Sequence, residues 1–210
     1  MRVIGITGSI GMGKTTISSM LKFFNIPIFD SDKEVKNILE CDKTVLFQIQ
    51  KIWPEVISSE LNQEKINKLA LADKIFKSKK DRVLLEKIIH PLVKQKRTQF
   101  IRNHSNSKFV GLDVPLLYET KTNEICDVVF LVRTSKKIQQ KRVLKRANMT
   151  KERFELINRA QWNYEKKKKL NPFIIETSFG KFLSFIQVII YLIIIINRKE
   201  NSDKRASFRY

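Results

Sequence analysis

The chain has 210 residues and a mass of 24.7 kDa, which is enough for one α/β domain with a sizeable core. Its two cysteines, Cys41 and Cys126, are far apart and lack metal-ligand spacing, so neither a disulfide framework nor a zinc site is indicated. The formal net charge of +20 brings nucleic acid into consideration as a partner. Because the lysines are dispersed along the chain, we expect no nucleic-acid partner.

The chain begins with a short apolar run, residues 2–6, which predicts a buried strand. A complete GxxxxGK(S/T) motif follows, from Gly8 to Thr15, and a helix is predicted from Lys14 onward. In this context the motif binds phosphate, because glycines let successive backbone amides converge on an anion at the positive end of a helix. Lys14 is placed to reach the β- and γ-phosphates of a nucleotide, and the Thr15 hydroxyl is suited to bind Mg²⁺.

After this loop, short apolar strands alternate with helical segments, the pattern of a parallel sheet covered on both faces. The predicted strands are 2–6, 26–29, 108–113, 127–132 and 173–176. The predicted helices are 14–24, 33–40, 44–52, 63–76, 79–103 with a break at His90-Pro91, 135–147, 150–168 and 181–196. We therefore predict an α/β fold of the P-loop kinase type, with a five-stranded parallel sheet flanked by helices, in a single domain over 1–210.

Some parts of this domain differ in character. The helices over about 33–103 form an excursion where a kinase of this type houses its second substrate, and the basic helices over about 135–168 are predicted to form a lid. The tail 197–210 is polar and basic, and we expect it to be disordered. The apolar stretch 182–196 is shorter than the ~20 residues of a spanning helix, so a buried terminal helix is favoured over a membrane segment.

Two carboxylates directly follow the second predicted strand, in Asp30-Ser31-Asp32. Ligands of open α/β sheets bind at the carboxyl ends of the strands, so an acid here is placed to accept a proton from a hydroxyl or to help hold Mg²⁺. The alternative is that either acid only caps the helix that begins near Lys33. The two explanations are balanced for Asp30, and the functional one is favoured for Asp32.

These motifs and two others, taken in chain order, resemble the signatures of the dephospho-CoA kinase family. They are the phosphate loop preceded by Thr7, the triplet Asp30-Ser31-Asp32, the run His90-Pro91-Leu92-Val93, and the run from Asp113 to Glu119. The resemblance covers about residues 1–180. It implies transfer of the γ-phosphoryl group of ATP to the ribose 3′-hydroxyl of dephospho-CoA, which gives coenzyme A. ATP and Mg²⁺ are then the cofactors and dephospho-CoA the small-molecule partner.

The resemblance also implies roles for individual residues. Asp32 is the implied catalytic base, with Lys14 and Arg142 as further catalytic residues. The residues implied to hold ATP are Gly11, Met12, Gly13, Lys14, Thr15 and Thr16. Thr15 is implied to bind Mg²⁺, and Asp113 to support it through water. The residues implied to line the dephospho-CoA site are Thr7, Asp32, His90, Leu116, Leu117, Tyr118 and Glu119.

Several of these residues also have a structural explanation. Arg142 and Arg146 are four apart on a predicted helix and share a face, which is either a lid surface that closes onto phosphates or an ordinary exposed face. A histidine before a proline at a helix break, such as His90, is more often a structural hydrogen-bonding group than a catalyst. Leu116 and Tyr118 are equally suited to the core.

The sequence departs from the family pattern at a few positions. Met12 replaces the small residue usual between the last two loop glycines. Thr177 and Phe179 replace an asparagine and a glycine in the turn after the fifth strand, so the contacts to adenine stay unassigned. The four lysines at 166–169 are favoured as a solvated helix face over a phosphate-binding patch.

The sequence thus predicts an ATP-dependent kinase of dephospho-CoA. The alternatives are another small-molecule P-loop kinase of the shikimate-kinase type and a basic nucleic-acid-binding ATPase. We expect no membrane partner and a cytoplasmic location, because the first predicted strand leaves no room for a signal peptide before it. The oligomeric state is left open, with a monomer expected.

Overall fold

The computed structural model describes residues 1–60, 63–146 and 149–197. The chain forms two compact units, one made of Met1–Phe29 with the chain from His104 onward, and one made of Asp30–Asn103. The strands are β1 (Arg2–Thr7), β2 (Ile28–Asp30), β3 (Ile57–Glu60), β4 (Gln63–Ile66), β5 (Phe109–Asp113), β6 (Val128–Arg133) and β7 (Phe173–Glu176). The helices are α1 (Lys14–Phe23), α2 (Ser31–Cys41), α3 (Lys43–Ile52), α4 (Lys68–Lys77), α5 (Lys79–Asn103), α6 (Lys136–Leu144), α7 (Lys151–Ala160), α8 (Tyr164–Lys168) and α9 (Lys181–Asn197).

The first unit is built on a five-stranded parallel sheet in the order β2-β5-β1-β6-β7, which confirms the predicted fold class. The central strand β1 pairs in parallel with β5 on one side and with β6 on the other. Its residues from Val3 to Thr7 are all buried, as expected of a strand covered on both faces. Because the strands are parallel, the segments that follow β1, β5, β6 and β7 begin at the same edge of the sheet.

Helices α1 and α9 pack together against this sheet. Ile17 and Leu21, four residues apart on α1, are fully buried and share a cluster with Val188 and Leu192 of α9. Other side chains of α9 lie on the surface, Phe182 being 74% exposed, so this helix is only partly buried. Within the described part of the chain, no helix combines the length and the apolar character that crossing a membrane requires.

The second unit is helical with one two-stranded hairpin. Helices α2, α3, α4 and α5 surround a buried cluster that includes Ile49, Trp53 and Leu85. The Trp53 indole donates a hydrogen bond to the Asp81 carboxylate, with 3.1 Å between Nε1 and Oδ1. The helical region predicted at about 33–103 falls within this unit. The predicted basic tail, apart from Asn197, lies outside the described residues.

Two predicted helix boundaries are wrong. The helix predicted at 63–76 begins only at Lys68, because 63–66 forms strand β4 and pairs antiparallel with β3. The helix predicted at 150–168 is two helices, α7 and α8. The Asn163 side chain between them accepts a hydrogen bond from the Lys166 backbone and so starts a new helix.

The predicted break at His90-Pro91 is also absent. Helix α5 runs without interruption through Pro91. A proline inside a helix costs about 3 kcal/mol, chiefly through a lost backbone hydrogen bond and a steric clash. The buried side chains of Leu85 and Ile89, in the two turns before it, hold the helix against the core of the second unit. Tertiary packing therefore outweighs the local cost of the proline.

Phe130 provides a test of this core. Its side chain is fully buried in β6 and contacts the rings of Phe173 and Tyr191. We expect Phe130→Ala to lower the free energy of unfolding by about 3–5 kcal/mol, because it leaves a cavity in the sheet. The control is Phe182→Ala, which removes an exposed ring from the same unit and should change stability by less than about 0.5 kcal/mol. Urea denaturation measures both, and equal losses would contradict this packing.

Candidate active site

The segment from Gly8 to Gly13 connects β1 to α1 and depends on glycine at three positions. A Cβ added to Gly8 would lie 2.5 Å from the Val132 carbonyl oxygen. Gly11 and Gly13 have φ angles of 78° and 99°, in the left-handed region that other residues rarely adopt. A Cβ added to Gly11 would also lie 2.4 Å from the Val143 side chain of α6. Conformation and close packing together therefore require glycine at Gly11, and conformation alone requires it at Gly13.

A cleft of about 320 Å³ opens beside this loop, within the first unit. Its lining residues are Gly11, Gly13, Lys14, Thr15, Thr16, Arg142, Arg146, Thr177, Gly180, Lys181 and Ser184. Among these described residues, four side chains are cationic and none is acidic. The amino end of α1, with its positive helix dipole, also faces the cleft. The cleft is therefore built to hold an anion with several negative charges.

Lys14 and Arg142 are held in place by hydrogen bonds. The Lys14 ammonium donates to the Gly8 carbonyl, with 3.1 Å between Nζ and O. The Arg142 guanidinium donates twice to Thr177, to its hydroxyl and to its carbonyl, both at 3.0 Å. The Thr177 hydroxyl in turn donates to the Met12 carbonyl at 2.8 Å. Thr177 thus links the arginine of α6 to the phosphate loop.

The Met12 side chain packs inward and does not crowd the loop. Its sulfur accepts a hydrogen bond from the Thr134 backbone amide at 3.2 Å, and its apolar part packs against the core of the sheet. The residue that departs from the family pattern therefore fastens the loop to the end of β6. Gly11 and Gly13 themselves line the cleft.

Asp113 lies at the carboxyl end of β5 and is buried. It accepts a hydrogen bond from the Ser18 hydroxyl of α1, with 2.7 Å between the two oxygens. The carboxylate therefore lies against the helix that begins with the phosphate loop. Its assignment to Mg²⁺ stays a prediction.

The segment after β5 is packed mainly into the core. Leu117 is fully buried and lies so close to Gly5 that a Cβ there would meet its side chain at 2.9 Å. Tyr118 is also buried, and burial raises its pKa to about 12. Leu116 is half-buried, and the buried Thr7 hydroxyl donates to the Pro115 carbonyl at 3.1 Å. The assignment of this segment to a substrate site stays a prediction.

A buried ion pair fixes the end of this segment. Glu119 accepts hydrogen bonds from the Trp162 backbone at 2.7 Å and from the Lys167 ammonium at 3.2 Å. Lys167 is only 1% exposed, and burial lowers its pKa from the usual lysine value. The prediction of a solvated lysine face is therefore wrong for Lys167, although the other three lysines of the run are exposed. The residue pattern offers no local signal for this burial.

The remaining predicted residues belong to the second unit. The Asp30 side chain accepts a hydrogen bond from the Lys33 backbone at 3.0 Å and caps α2, so the structural explanation for Asp30 is confirmed. Asp32 lies in the first turn of α2. His90 is exposed in the interior of α5, so it does not mark a helix break. The catalytic role of Asp32 and the substrate contact of His90 stay predictions.

The sheet, the glycine-rich loop and the cationic cleft define a P-loop protein, one that binds a nucleotide through its phosphates. Comparison with known proteins narrows this class. The family model described as dephospho-CoA kinase matches residues 2–181. A dephospho-CoA kinase from Bartonella henselae is 36% identical over 179 residues, covering 84% of this chain and 89% of that protein. A dephospho-CoA kinase from Prochlorococcus marinus is 32% identical over 187 residues, covering 87% and 90%.

Solved structures share the fold. A dephospho-CoA kinase from Campylobacter jejuni matches with a TM-score of 0.68 and 21% identity, over 93% of this chain and 98% of that one. The protein TT1252 from Thermus thermophilus matches with a TM-score of 0.77 and 23% identity, over 93% and 97%. The chain belongs to the dephospho-CoA kinase family.

Lys167 predicts a pH dependence of stability. Its pKa in the folded chain lies below the ordinary value of 10.5, so between these two values the unfolded chain holds a proton that the folded chain has released. Raising the pH through this window therefore increases the contribution of Lys167 to the free energy of unfolding, and above 10.5 the contribution becomes constant.

The measurement is urea denaturation of the parent and of Lys167→Met at several pH values up to the ordinary lysine pKa. Other titrating groups are common to both proteins and cancel in the difference. The stability of the parent relative to the variant should rise with pH. A relative stability that falls as the pH rises would show that the folded-state pKa is not lowered.

Proposed function

We propose that this chain transfers the γ-phosphoryl group of ATP to the ribose 3′-hydroxyl of dephospho-CoA by direct in-line displacement. One observation carries the proposal: the phosphate loop, Arg142 and Arg146 line the same cationic cleft at the carboxyl edge of the sheet. Phosphoryl transfer passes through a loose transition state and asks for little covalent help, so positioning and charge neutralisation supply most of the rate enhancement. The cleft offers both.

We assign the residues that line the cleft to the triphosphate of ATP. The backbone of Gly11 to Thr16 holds the phosphates, and Lys14 and Arg142 stabilise the negative charge that develops during transfer. Arg142 is suited to this role because its two bonds to Thr177 fix its guanidinium beside the loop. Arg146 follows the end of α6, also lines the cleft and adds a further charge.

The residues near the loop fit Mg²⁺. The cation prefers oxygen ligands and uses one or two protein groups together with substrate phosphates and water. The exposed Thr15 hydroxyl lies in the cleft, and the Asp113 carboxylate lies against the same helix through Ser18. Thr15 would hold the ion and Asp113 would support it through water. When bound, Mg²⁺ neutralises charge on the β- and γ-phosphates.

We assign proton removal from the 3′-hydroxyl to Asp32. This assignment rests on the family resemblance and on the position of Asp32 directly after β2, in the first turn of α2. A carboxylate acting as general base typically contributes about 10²–10⁴-fold to a rate. We do not assign the role to Asp30, because its side chain caps α2.

We assign the dephospho-CoA site to Thr7, Asp32, His90, Leu116, Leu117, Tyr118 and Glu119. The Tyr118 hydroxyl and one Glu119 oxygen, Oε2, support this for the segment after β5. Both atoms are buried and have no hydrogen-bond partner among the described residues. They therefore retain hydrogen-bonding capacity for polar groups of a substrate. A monomeric state and a cytoplasmic location complete the proposal.

The reaction is tested by coupled measurement of ADP release. Dephospho-CoA should stimulate ADP release by the parent, whereas shikimate and polynucleotide should not. Lys14→Ala should abolish turnover, because it removes the charge that reaches the γ-phosphate. Stimulation by shikimate or by polynucleotide in place of dephospho-CoA would refute the proposed substrate.

Asp32 and Asp30 form a matched pair for testing the base. Asp32→Asn should lower kcat by about 10²–10⁴-fold, because an amide cannot accept the proton. ATP binding, measured by calorimetry, should stay close to that of the parent. Asp30→Asn makes the same chemical change two residues away, and since asparagine caps a helix as well as aspartate, its kcat should be nearly unchanged. Equal kcat values for the parent and Asp32→Asn would remove Asp32 from the mechanism.

A further inference from the structure

Two glutamine side chains hold the backbone of Ile10, inside the phosphate loop. The Ile10 amide donates to Gln161 Oε1 at 3.1 Å, and Gln139 Nε2 donates to the Ile10 carbonyl at 2.8 Å. Gln139 lies on α6 and is buried, and Gln161 directly follows α7. Neither residue lines the cleft, so neither is suited to touch the phosphates themselves.

The contact with Gln139 is part of a larger surface on α6. Gln139, Arg142 and Val143 are three and four residues apart and therefore share one face of the helix. The Gln139 carbonyl and the Val143 side chain pack against Gly11, and the Arg142 guanidinium lies beside Gly13. The loop thus rests on α6 at three places, and the Gln139 hydrogen bond is the polar contact of Ile10 with that helix.

The two hydrogen bonds matter because anion binding by backbone amides depends on their direction. A loop that samples several conformations must be ordered when the phosphate arrives, and this ordering costs affinity. Fixing both the amide and the carbonyl of one residue restricts rotation of the peptide units on either side of it. The remaining loop amides then keep one orientation before the phosphate binds, so less ordering is needed on binding.

We infer that Gln139 and Gln161 are positioning residues for the phosphates of ATP, acting through the backbone of Ile10. The inference rests on the proposed function, which assigns the loop to the triphosphate. The two glutamines have opposite hydrogen-bonding roles: Gln161 serves as an acceptor and Gln139 as a donor. This opposition separates their action from a general effect of packing or charge.

The experiment replaces each glutamine in turn with glutamate, which only accepts when ionised, and with lysine, which only donates. Dissociation constants for ATP are measured by calorimetry at a pH above 8, where the glutamate is ionised. At Gln161, glutamate keeps the bond to Ile10 and lysine loses it. At Gln139, lysine keeps the bond and glutamate loses it.

At each position we divide the dissociation constant of the lysine variant by that of the glutamate variant. This ratio should be at least about tenfold larger at position 161 than at position 139, because lysine breaks the bond at 161 and keeps it at 139. Because both side chains end within about 3 Å of the Ile10 backbone, a pure charge effect has the same sign and a similar size at the two positions, so it largely cancels in this comparison. Ratios that agree within the error of the measurement at the two positions would overturn the inference.

Uncharged variants provide a second measurement if a charged one does not fold. Gln139→Met and Gln161→Met should each weaken ATP binding on the order of tenfold. The matched control is Gln140→Met, on the exposed side of the same helix, which should bind ATP as the parent does. Methionine variants with the affinity of the parent would overturn the inference and leave the proposed function intact. A parent that fails to bind ATP would overturn the proposed function and the inference with it.

Discussion

The packing of the phosphate loop against helix α6 is the contact on which the site depends. Gly11 can approach Val143 only because it has no side chain, and the same face of α6 brings Arg142 beside Gly13. The sheet makes this meeting possible, because α6 begins just after β6, which pairs directly with β1. The strand β1 therefore leads to the loop and Lys14, and its neighbour β6 leads to Arg142 and Arg146. Thr177, just after β7, joins the two with hydrogen bonds to Arg142 and Met12.

Part of the chain's positive charge is concentrated at this cleft. Four cationic side chains line it, and their mutual repulsion is relieved when a polyphosphate binds between them. The four cations repel one another in the free protein, and the same charges increase the affinity for a highly charged ligand. Lys167 is different, because it is buried against Glu119 and secures the segment after β5 to α8. The net charge of +20 thus does not by itself identify a nucleic-acid partner.

The sequence predicted the parallel sheet and the phosphate loop well, since both depend on short-range patterns. Apolar runs mark the five strands within about two residues, and the spacing of the loop glycines defines the cradle. The hairpin of β3 and β4 was missed because each strand has only four residues, too few for an alternating pattern to outweigh the helix predicted at 63–76. Pro91 misled the prediction because packing of Leu85 and Ile89 outweighs a local rule. Local patterns cannot reveal contacts between residues that are distant in sequence. Three such contacts were missed: the ion pair of Lys167 with Glu119, the hydrogen bond of Thr177 to Met12, and the hydrogen bonds of Gln139 and Gln161 to Ile10.

The central claim is that the cleft beside the phosphate loop binds a nucleotide through its β- and γ-phosphates. The most direct test is calorimetric titration of the parent with ATP, ADP and AMP at low and high salt. We expect affinity to fall from ATP to ADP and most steeply from ADP to AMP, and the affinity for ATP to weaken as salt screens the cations. AMP binding as tightly as ATP, with no dependence on salt, would contradict the claim.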